Sequence, residues 1–463
     1  MNKKVFVLVS DGVSLRNFAY TSFCALGIEQ GYDVVFWNGT PFNLEQLNLK
    51  EVKITNAKPN TFTDVLKTAL IRTELNIFSK RDKDSIYQKY KFKLSYKTLK
   101  ATIKSIFIQC YCKLYNSERG IKIIRNTITA LERKTDYYTD CKKTLELEKP
   151  DFVLSTSQRA LTAIAPLTAA QDLGILTASF IYSWDNIPKA TTIVIADFYF
   201  VWSEHMKKEL QHYQRYINSN QIKITGTPQF ENHYDKSLKS SKTTFFESHN
   251  LDVNKKYICF SGDDITTSPK DELYLRDAAK AVRDLNKKGN NLGVIFRKCP
   301  VDFSNRYDAI IGEYNDVIVS IDPIWEKIGT VWNGILPTKE DYKLQTNIIA
   351  YTECVVNLGS SMVFDYAAYN KPCAFINYNY LNASNSYEKG VYVYDFVHFR
   401  SMPSQNAVIW LSNPSTIANQ LEDVLENPQK TVTKAKEWFE IINDHPPENA
   451  CKRVWEQIHK LVN

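Results

Sequence analysis

Short apolar segments alternate with helical segments along this chain of 463 residues, and the alternation runs through the sequence twice. The apolar segments span only a few residues, and between them apolar positions recur at helical spacing, which predicts strand–helix–strand units. Such units build parallel sheets with helices on both faces. The predicted strands of the first series are 4–10, 33–37, 151–155, 176–182, 198–202 and 223–227, and those of the second are 257–261, 292–297, 316–320, 354–358 and 373–377.

The length of the chain indicates two domains, because a single hydrophobic core rarely grows beyond about 250 residues. Residues 236–242 are rich in lysine and serine and lack periodicity, which is typical of a linker. We therefore predict an N-terminal Rossmann-like domain at 1–235, with a helical insertion at about 63–148, and a C-terminal Rossmann-like domain at 243–431. The last segment, 432–463, is predicted to form helices that pack back toward the N-terminal domain.

The composition indicates a globular protein, with 44% hydrophobic and 24% charged residues. Its apolar runs are shorter than the roughly 18 residues that a membrane-spanning helix needs. Asp11 and Arg16 interrupt the first apolar run, so we predict a strand there and not a signal peptide. The nine cysteines are odd in number and scattered, which predicts reduced thiols in a cytoplasmic protein, without disulfides or a metal site.

A glycine and two serines separate the predicted strand 354–358 from the next helix, which Met362 opens. The free N–H groups at such a helix start form an anion site suited to a diphosphate, and the hydroxyls of Ser360 and Ser361 add donors. The alternative is an ordinary serine cap. Asp365, one turn along the helix, is positioned for ribose hydroxyls; its alternatives are a solvated acid or a second cap.

The pattern Gly359-Ser360-Ser361-x-x-x-Asp365, followed by Asn-Lys-Pro at 370–372 and an apolar strand, resembles the donor-binding signature of GT-B proteins. The signature occurs in glycerophosphotransferases of wall teichoic acid synthesis and, with Glu in place of Asp, in UDP-N-acetylglucosamine 2-epimerases. The resemblance implies two Rossmann-like domains that face a cleft. It also implies that both serines touch donor phosphates and that Asp365 touches the ribose.

A second segment, Phe-Arg-Lys-Cys-Pro at 296–300, resembles the Arg-x-His-Pro segment of those families, with Cys299 in place of His. Arg297 is a candidate phosphate clamp because a planar guanidinium grips two oxygens at once, and an ion pair is its alternative. Gly262 opens the loop after the first strand of the second series, where a donor contact is expected. Because Asp263-Asp264 in that loop is no DxD motif, we expect no metal; Arg297 and Lys298 would offset the charge of the departing diphosphate.

Segments 183–186, 200–210 and 224–230 resemble uncharacterised surface-polysaccharide glycosyltransferases of the GT-B type. In the first of them, Trp184 is suited to stack on a sugar face, and Asp185 and Asn186 to bind its hydroxyls. The alternative is a tryptophan that anchors the loop in the core, with the aspartate as a turn residue. Thr227, beside Gly226, is placed where the chain leaves the first domain and approaches the donor.

Sugar transfer with inversion needs a base for the acceptor hydroxyl. Our candidate is Asp11, which follows the first strand, with Gly12 allowing a close turn and Arg16 in the same cleft. The alternative for Asp11 is a helix cap, and Asp185 is the second candidate base.

These features predict a metal-independent, inverting glycosyltransferase that moves a sugar from a nucleotide-sugar donor to a glycan or lipid-linked acceptor held by the N-terminal domain. The alternatives are a UDP-hexosamine 2-epimerase, a CDP-polyol phosphotransferase, or a non-catalytic partner that binds nucleotide sugars. The missing histidine at Cys299 disfavours the phosphotransferase.

Between Arg72 and Lys149, basic residues exceed acidic ones by about ten. This segment is a solvated helical face, a nucleic-acid site, or a set of interfacial helices that contact anionic lipid. No nucleic-acid-binding pattern accompanies it. We therefore expect no nucleic-acid partner and favour peripheral association with the inner face of the plasma membrane.

Overall fold

The first half of the chain forms a parallel sheet of seven strands. The computed structural model describes residues 2–328, 334–381 and 387–463. The strand order is β3-β2-β1-β4-β5-β6-β7, so the order reverses between β1 and β4. Residues 5–9 of β1 are fully buried, because helices cover both faces of the sheet. The strands are β1 (Lys4–Val9), β2 (Asp33–Asn38), β3 (Glu51–Lys53), β4 (Phe152–Ser155), β5 (Leu176–Phe180), β6 (Phe198–Val201) and β7 (Ile222–Ile224).

The helices of this half are of two kinds. Short ones connect the strands, and the five between β3 and β4 form the insertion. They are α1 (Gly12–Ser14), α2 (Phe23–Glu29), α3 (Thr63–Arg81), α4 (Ile86–Lys89), α5 (Leu99–Leu114), α6 (Glu118–Glu132), α7 (Asp136–Glu148), α8 (Ile164–Asp172) and α9 (Glu204–Tyr213).

The second half repeats this architecture. Its parallel sheet of six strands has the order β10-β9-β8-β13-β14-β17, and the order reverses between β8 and β13. Its strands are β8 (Lys256–Ser261), β9 (Leu292–Arg297), β10 (Ile318–Ser320), β13 (Val355–Asn357), β14 (Cys373–Ile376) and β17 (Ile409–Leu411), with the hairpins β11 (Trp325–Lys327) with β12 (Ile335–Pro337) and β15 (Tyr378–Tyr380) with β16 (Tyr387–Lys389). Its helices are α10 (Lys242–Ser248), α11 (Asp271–Lys287), α12 (Asp308–Glu313), α13 (Lys339–Tyr351), α14 (Met362–Ala368) and α15 (Ile417–Glu426). The prediction of two parallel α/β sheets is confirmed.

The last two helices, α16 (Gln429–Ile442) and α17 (Ala450–Val462), return to the first half. The Trp455 ring stacks between Phe23 and Tyr32, with ring centroids 4.8 and 4.9 Å away. Its indole N–H donates to the carbonyl of Phe23 at 2.7 Å. Gly27 is required beneath this ring, because a Cβ there would lie 2.2 Å from the Trp455 side chain. The end of the chain therefore forms part of the core of the first half.

The structure differs from the predicted elements in two ways. Apolar positions at 15–30 recur at helical spacing and predict a single helix, but the structure divides this range into a π-helical turn at Leu15–Ala19 and α2. The strands β3 and β17 and both antiparallel strand pairs were not predicted from the sequence.

Candidate functional site

The strand order of each sheet reverses once, and open parallel sheets bind ligands beside such a reversal, at the carboxyl ends of the strands. The loop after β1 contacts the second half directly. The Tyr20 hydroxyl donates to the carbonyl of Pro337 at 2.8 Å, and a Cβ on Gly12 would lie 2.7 Å from the Pro337 ring. Gly12, predicted to face the cleft, thus lies at the contact between the halves.

Asp11 lies at the reversal point of the first sheet, half-buried at the end of β1. Its Oδ1 accepts the Ser14 amide at 2.9 Å and so caps α1. Burial raises the pKa of its carboxyl above the usual range, against the lowering effects of Ser14 and of the Arg159 guanidinium. Asp11 therefore caps α1 and also has a raised pKa, which makes its carboxylate more basic. The cap and the candidate base, given above as alternatives, are compatible. Arg16, on the π-helical turn Leu15–Ala19, is half-buried, and its Nε donates to Asn17 Oδ1 at 3.2 Å.

The Gly359–Ser361 loop lies at the reversal point of the second sheet, between β13 and α14. Gly359 has φ +67°, and a Cβ there would lie 3.0 Å from the Phe399 ring, so both backbone and space require glycine. Ser360 N–H donates to Asn357 Oδ1 at 2.9 Å, and Ser360 Oγ accepts Met362 N–H at 3.3 Å. Both serines remain half-exposed.

These bonds occupy two of the amides that were predicted to face a diphosphate. The donors left to a ligand at this loop are mainly the hydroxyls. The side chain of Met362 is buried, so only its backbone can contact a ligand at this loop.

The loop after β8 lies beside this site and contains carboxyls with raised pKa values. The pKa of Asp263 is raised to about 7, first by burial and then by the charges of Asp271 and Asp264. Burial likewise raises the pKa of Asp271 to about 6. Asp271 Oδ2 accepts the Asp263 amide at 3.1 Å and the Tyr307 hydroxyl at 2.9 Å. Gly262, the first residue after β8, is half-buried at the start of this loop.

Sequence reasoning assigned no role to the Asp263–Asp271 pair. Adjacent acids after a strand were considered only as a metal motif. Perturbed carboxyls at a reversal point are typical of functional sites, because such sites need groups that titrate near neutral pH.

The two cations expected at the phosphates are bound within their own domain. Arg297 Nη2 lies 2.9 Å from both oxygens of Asp341, which also accepts the Trp325 indole N–H at 2.7 Å. Arg297 at the end of β9 and Asp341 on α13 are both buried, so Arg297 has the ion-pair alternative. Through Asp341 the pair also holds Trp325 at the start of β11. The ammonium of Lys298 donates to the Ser304 carbonyl.

Asp365 is engaged by a residue of the first half. It is buried on α14, and its Oδ1 lies 2.6 Å from His233 Nε2, on the turn that ends the first half. The prediction that Asp365 takes ribose hydroxyls is corrected by this contact, which joins the two halves.

Trp184 has the anchoring role that was its alternative. It is buried, and its ring packs edge-to-face on Phe364 of α14, on His398 and on Trp438 of α16, with ring centroids 5.2, 4.8 and 5.7 Å away. Residues from both halves and from the C-terminal helices form this aromatic cluster. Trp184 is therefore a core residue and does not stack on a sugar.

The neighbours of Trp184 are also engaged internally. Asp185 pairs with Lys189, and although burial raises its pKa, the positive charges of Lys189 and His398 bring the pKa well below the usual range. Such a carboxylate is a poor base, which disfavours its predicted catalytic role. Asn186 is buried and accepts Gln158 Nε2 at 3.0 Å.

Thr227 is fully buried, and this position corrects its placement at the donor. Its N–H donates to Asn443 Oδ1 at 2.9 Å, and its hydroxyl caps the turn Pro228–His233. Gly226 beside it has φ +72° and lies against Arg453 of α17. This corner joins the first half to the C-terminal helices.

No protein-family model and no curated protein sequence matches the chain. Solved structures match it over its full length. MnaA of S. aureus, solved with UDP, is 13% identical with a TM-score of 0.57, and the alignment covers 100% of this chain and 97% of that one. A glycosyltransferase from Rickettsia africae is 11% identical with a TM-score of 0.53, covering 100% and 98%. The wall teichoic acid polymerase TagF is 11% identical with a TM-score of 0.50, covering 100% and 89%.

The chain has the GT-B fold. This likeness confirms the predicted fold class. Within residues 2–328, 334–381 and 387–463, no three histidine, cysteine, aspartate or glutamate side chains are grouped to hold a metal ion. Across the same ranges, no helix is both long and apolar enough to cross a bilayer.

Proposed function

We propose that this protein is a glycosyltransferase that binds a nucleotide sugar at the reversal point of its second sheet. The observation that carries the proposal is the pair of half-exposed hydroxyls on Ser360 and Ser361, which follow Gly359 and its left-handed backbone. Hydroxyl donors at the carboxyl end of a parallel sheet are suited to the phosphate oxygens of a nucleoside diphosphate. The relatives with the same fold, solved with UDP or UDP-GlcNAc, support this class of ligand.

In this proposal Asp11 removes the proton from the acceptor hydroxyl. The acceptor oxygen then forms a bond to the anomeric carbon, and the bond to the nucleoside diphosphate breaks with inversion. The raised pKa of Asp11 supports this role, because a more basic carboxylate accepts a proton more readily. The acceptor, a glycan or a lipid-linked sugar, would lie on the loops after β1 and β4, in the cytoplasm. Neither a metal nor another cofactor is part of the proposal.

Donor binding is tested by thermal denaturation in the presence of UDP, GDP, CDP, CMP or dTDP sugars. A cognate donor at a hundred times its Kd stabilises the folded protein by about 2.7 kcal/mol, which raises the Tm by several degrees. Ser361→Ala is expected to reduce the shift, because it removes one hydroxyl donor to phosphate. Ser415→Ala, on an exposed turn of the second half, is the matched control and should keep the shift. A full shift in Ser361→Ala would contradict the donor site.

Catalysis is tested with Asp11→Asn. Asparagine keeps the oxygen that caps α1 and loses the base, so folding and donor binding are expected to persist while transfer falls about 10²–10⁴-fold. Transfer is measured as the release of nucleoside diphosphate in the presence of acceptor. Unchanged turnover would exclude Asp11 as the base, and donor binding without turnover by the wild type would favour a non-catalytic partner.

The Asp263 carboxyl favours a second candidate, a nucleotide-hexosamine 2-epimerase. Inversion at C2 needs a group on the donor side that removes a proton and one that returns it, and a carboxyl with a pKa of about 7 is suited to both. Incubation of UDP-GlcNAc in D₂O without acceptor separates the two functions. Deuterium at C2 that disappears in Asp263→Asn would establish the epimerase, whereas diphosphate release that depends on acceptor would establish the transferase.

A further inference from the structure

Helix α5 carries an apolar face that no part of the described chain covers. Leu99 and Leu114 are 78% and 77% exposed, and Ile103, Ile106 and Phe107 are each about half exposed. The spacings of three, four and seven place all five on one side of the helix. The loop before α5 adds two more exposed rings, Phe92 and Tyr96. We call these residues the α5 face.

The opposite side of α5 holds the helix on the protein. Ile108 is buried against Val65 and Ala69 of α3. At the edge of the α5 face, Phe107 also touches Phe62 edge-to-face, with ring centroids 5.8 Å apart. Helix α5 is therefore apolar on two sides, and only one of them is used by the fold. Exposed apolar surface of this extent usually marks an interaction site.

The charge around the α5 face is of one sign. Residues 91–114 contain six lysines and no aspartate or glutamate. Lys93, Lys97, Lys100 and Lys113 are exposed. Lys100 and Lys113 lie on α5 at the two edges of the apolar stripe, and Lys93 and Lys97 lie in the loop before it. Their chains are long enough to bring the ammonium groups to the level of lipid phosphates while the stripe enters the acyl boundary.

We propose that the α5 face docks on the surface of a bilayer that contains anionic phospholipid. Large apolar side chains between lysines match the two layers of such a surface, its anionic headgroups and its hydrocarbon boundary. The proposal is independent of the proposed function, because the α5 face lies outside the cleft between the halves.

Two other cations of the basic insertion are paired within the fold. Arg125 is buried with Glu74 at 2.6 Å, and Arg133 pairs with Asp172 at 2.7 Å. Membrane contact was expected of the whole segment from Arg72 to Lys149, and the proposal places it at residues 91–114, where exposed apolar side chains and lysines occur together.

The proposal is tested by co-sedimentation of the full chain with vesicles. We expect binding to phosphatidylcholine vesicles with about 30 mol% phosphatidylglycerol, weaker binding to pure phosphatidylcholine, and loss of binding at high salt. Lys97→Gln with Lys100→Gln should weaken binding about 25-fold, since each lysine near such a surface is worth about five-fold. Leu99→Ser with Ile106→Ser should weaken it at least about ten-fold.

The matched control is Leu147→Ser on α7, which removes an equally exposed leucine outside the α5 face and should bind as the wild type does. All the substituted side chains are exposed, so a thermal melt should show unchanged stability in each variant. Absence of binding to the anionic vesicles, or equal binding by the wild type and both double variants, would overturn the proposal. So would a dimer that the apolar variant converts to a monomer in a protein that binds no vesicles.

Discussion

Replacing Asp263 with asparagine is expected to stabilise the folded protein at alkaline pH and to leave its stability nearly unchanged in acid. The folded state raises the pKa of Asp263 from 3.8 to about 7, through burial and the charges of Asp271 and Asp264. Between these two pH values the unfolded chain has already released the proton that the folded chain still holds. The free energy of unfolding of the wild type therefore falls as the pH rises through this window.

The size of the effect follows from the same two values. Each tenfold change in proton affinity is worth about 1.4 kcal/mol, so the full penalty above pH 7 is at most about 4 kcal/mol, and partial exposure of Asp263 reduces it to about 2–4 kcal/mol. Asparagine carries no charge, and its Oδ1 can still accept the Asp264 amide, which Asp263 holds at 2.8 Å. The advantage of Asp263→Asn should thus be small at about pH 4 and reach about 2–4 kcal/mol at about pH 8.

Urea unfolding at the two pH values measures this difference. The neighbouring substitution Asp264→Asn is the control, because Asp264 has the opposite shift. Burial raises its pKa, but bonds from Thr266 and Thr267 lower it further, so its charge stabilises the fold at neutral pH. Asp264→Asn should therefore be destabilising at pH 8. The same change in stability for Asp263→Asn at both pH values would refute the linkage argument.

Two further substitutions test the contacts between the halves. Trp184→Ala should lower the free energy of unfolding by about 3–5 kcal/mol, because Trp184 is buried against Phe364 and Trp438; a loss below 1 kcal/mol in urea titration would contradict its core role. Gly12→Ala should cost about 1–3 kcal/mol, because its Cβ would lie 2.7 Å from Pro337, whereas a Cβ in the control Gly312→Ala would meet no described atom within 4 Å. Equal melting temperatures of the two glycine variants would contradict the close contact between Gly12 of the first half and Pro337 of the second.

The strands that build the two sheets were predictable because each is a short apolar run bounded by polar residues. The pattern predicted a strand at 292–297, and β9 has these bounds. The strand β3, Glu51–Lys53, could not be found in this way, because two of its three residues are charged. The break before α2 could not be found either, because residues 15–30 have a continuous helical period.

The positions of the candidate loops were predictable, and the partners of their side chains were not. Strand order alone places Asp11 at the carboxyl edge of the first sheet and Ser361 at the carboxyl edge of the second. The sequence does not show that Asp365 meets His233, 132 residues away, or that Trp184 meets Trp438. Asp263 was missed for the same reason, because its pKa depends on Asp271 and on burial.

The stacking of Trp455 between Phe23 and Tyr32 has a consequence for synthesis on the ribosome. The chain emerges from its N-terminal end, so the surface around Gly27 is complete only after α17 has been translated. Until then these aromatic side chains have no cover, and the first sheet cannot reach its final packing. The first half of the nascent protein thus completes its packing only at the end of translation. A premature stop before residue 450 would leave its aromatic side chains around Gly27 uncovered.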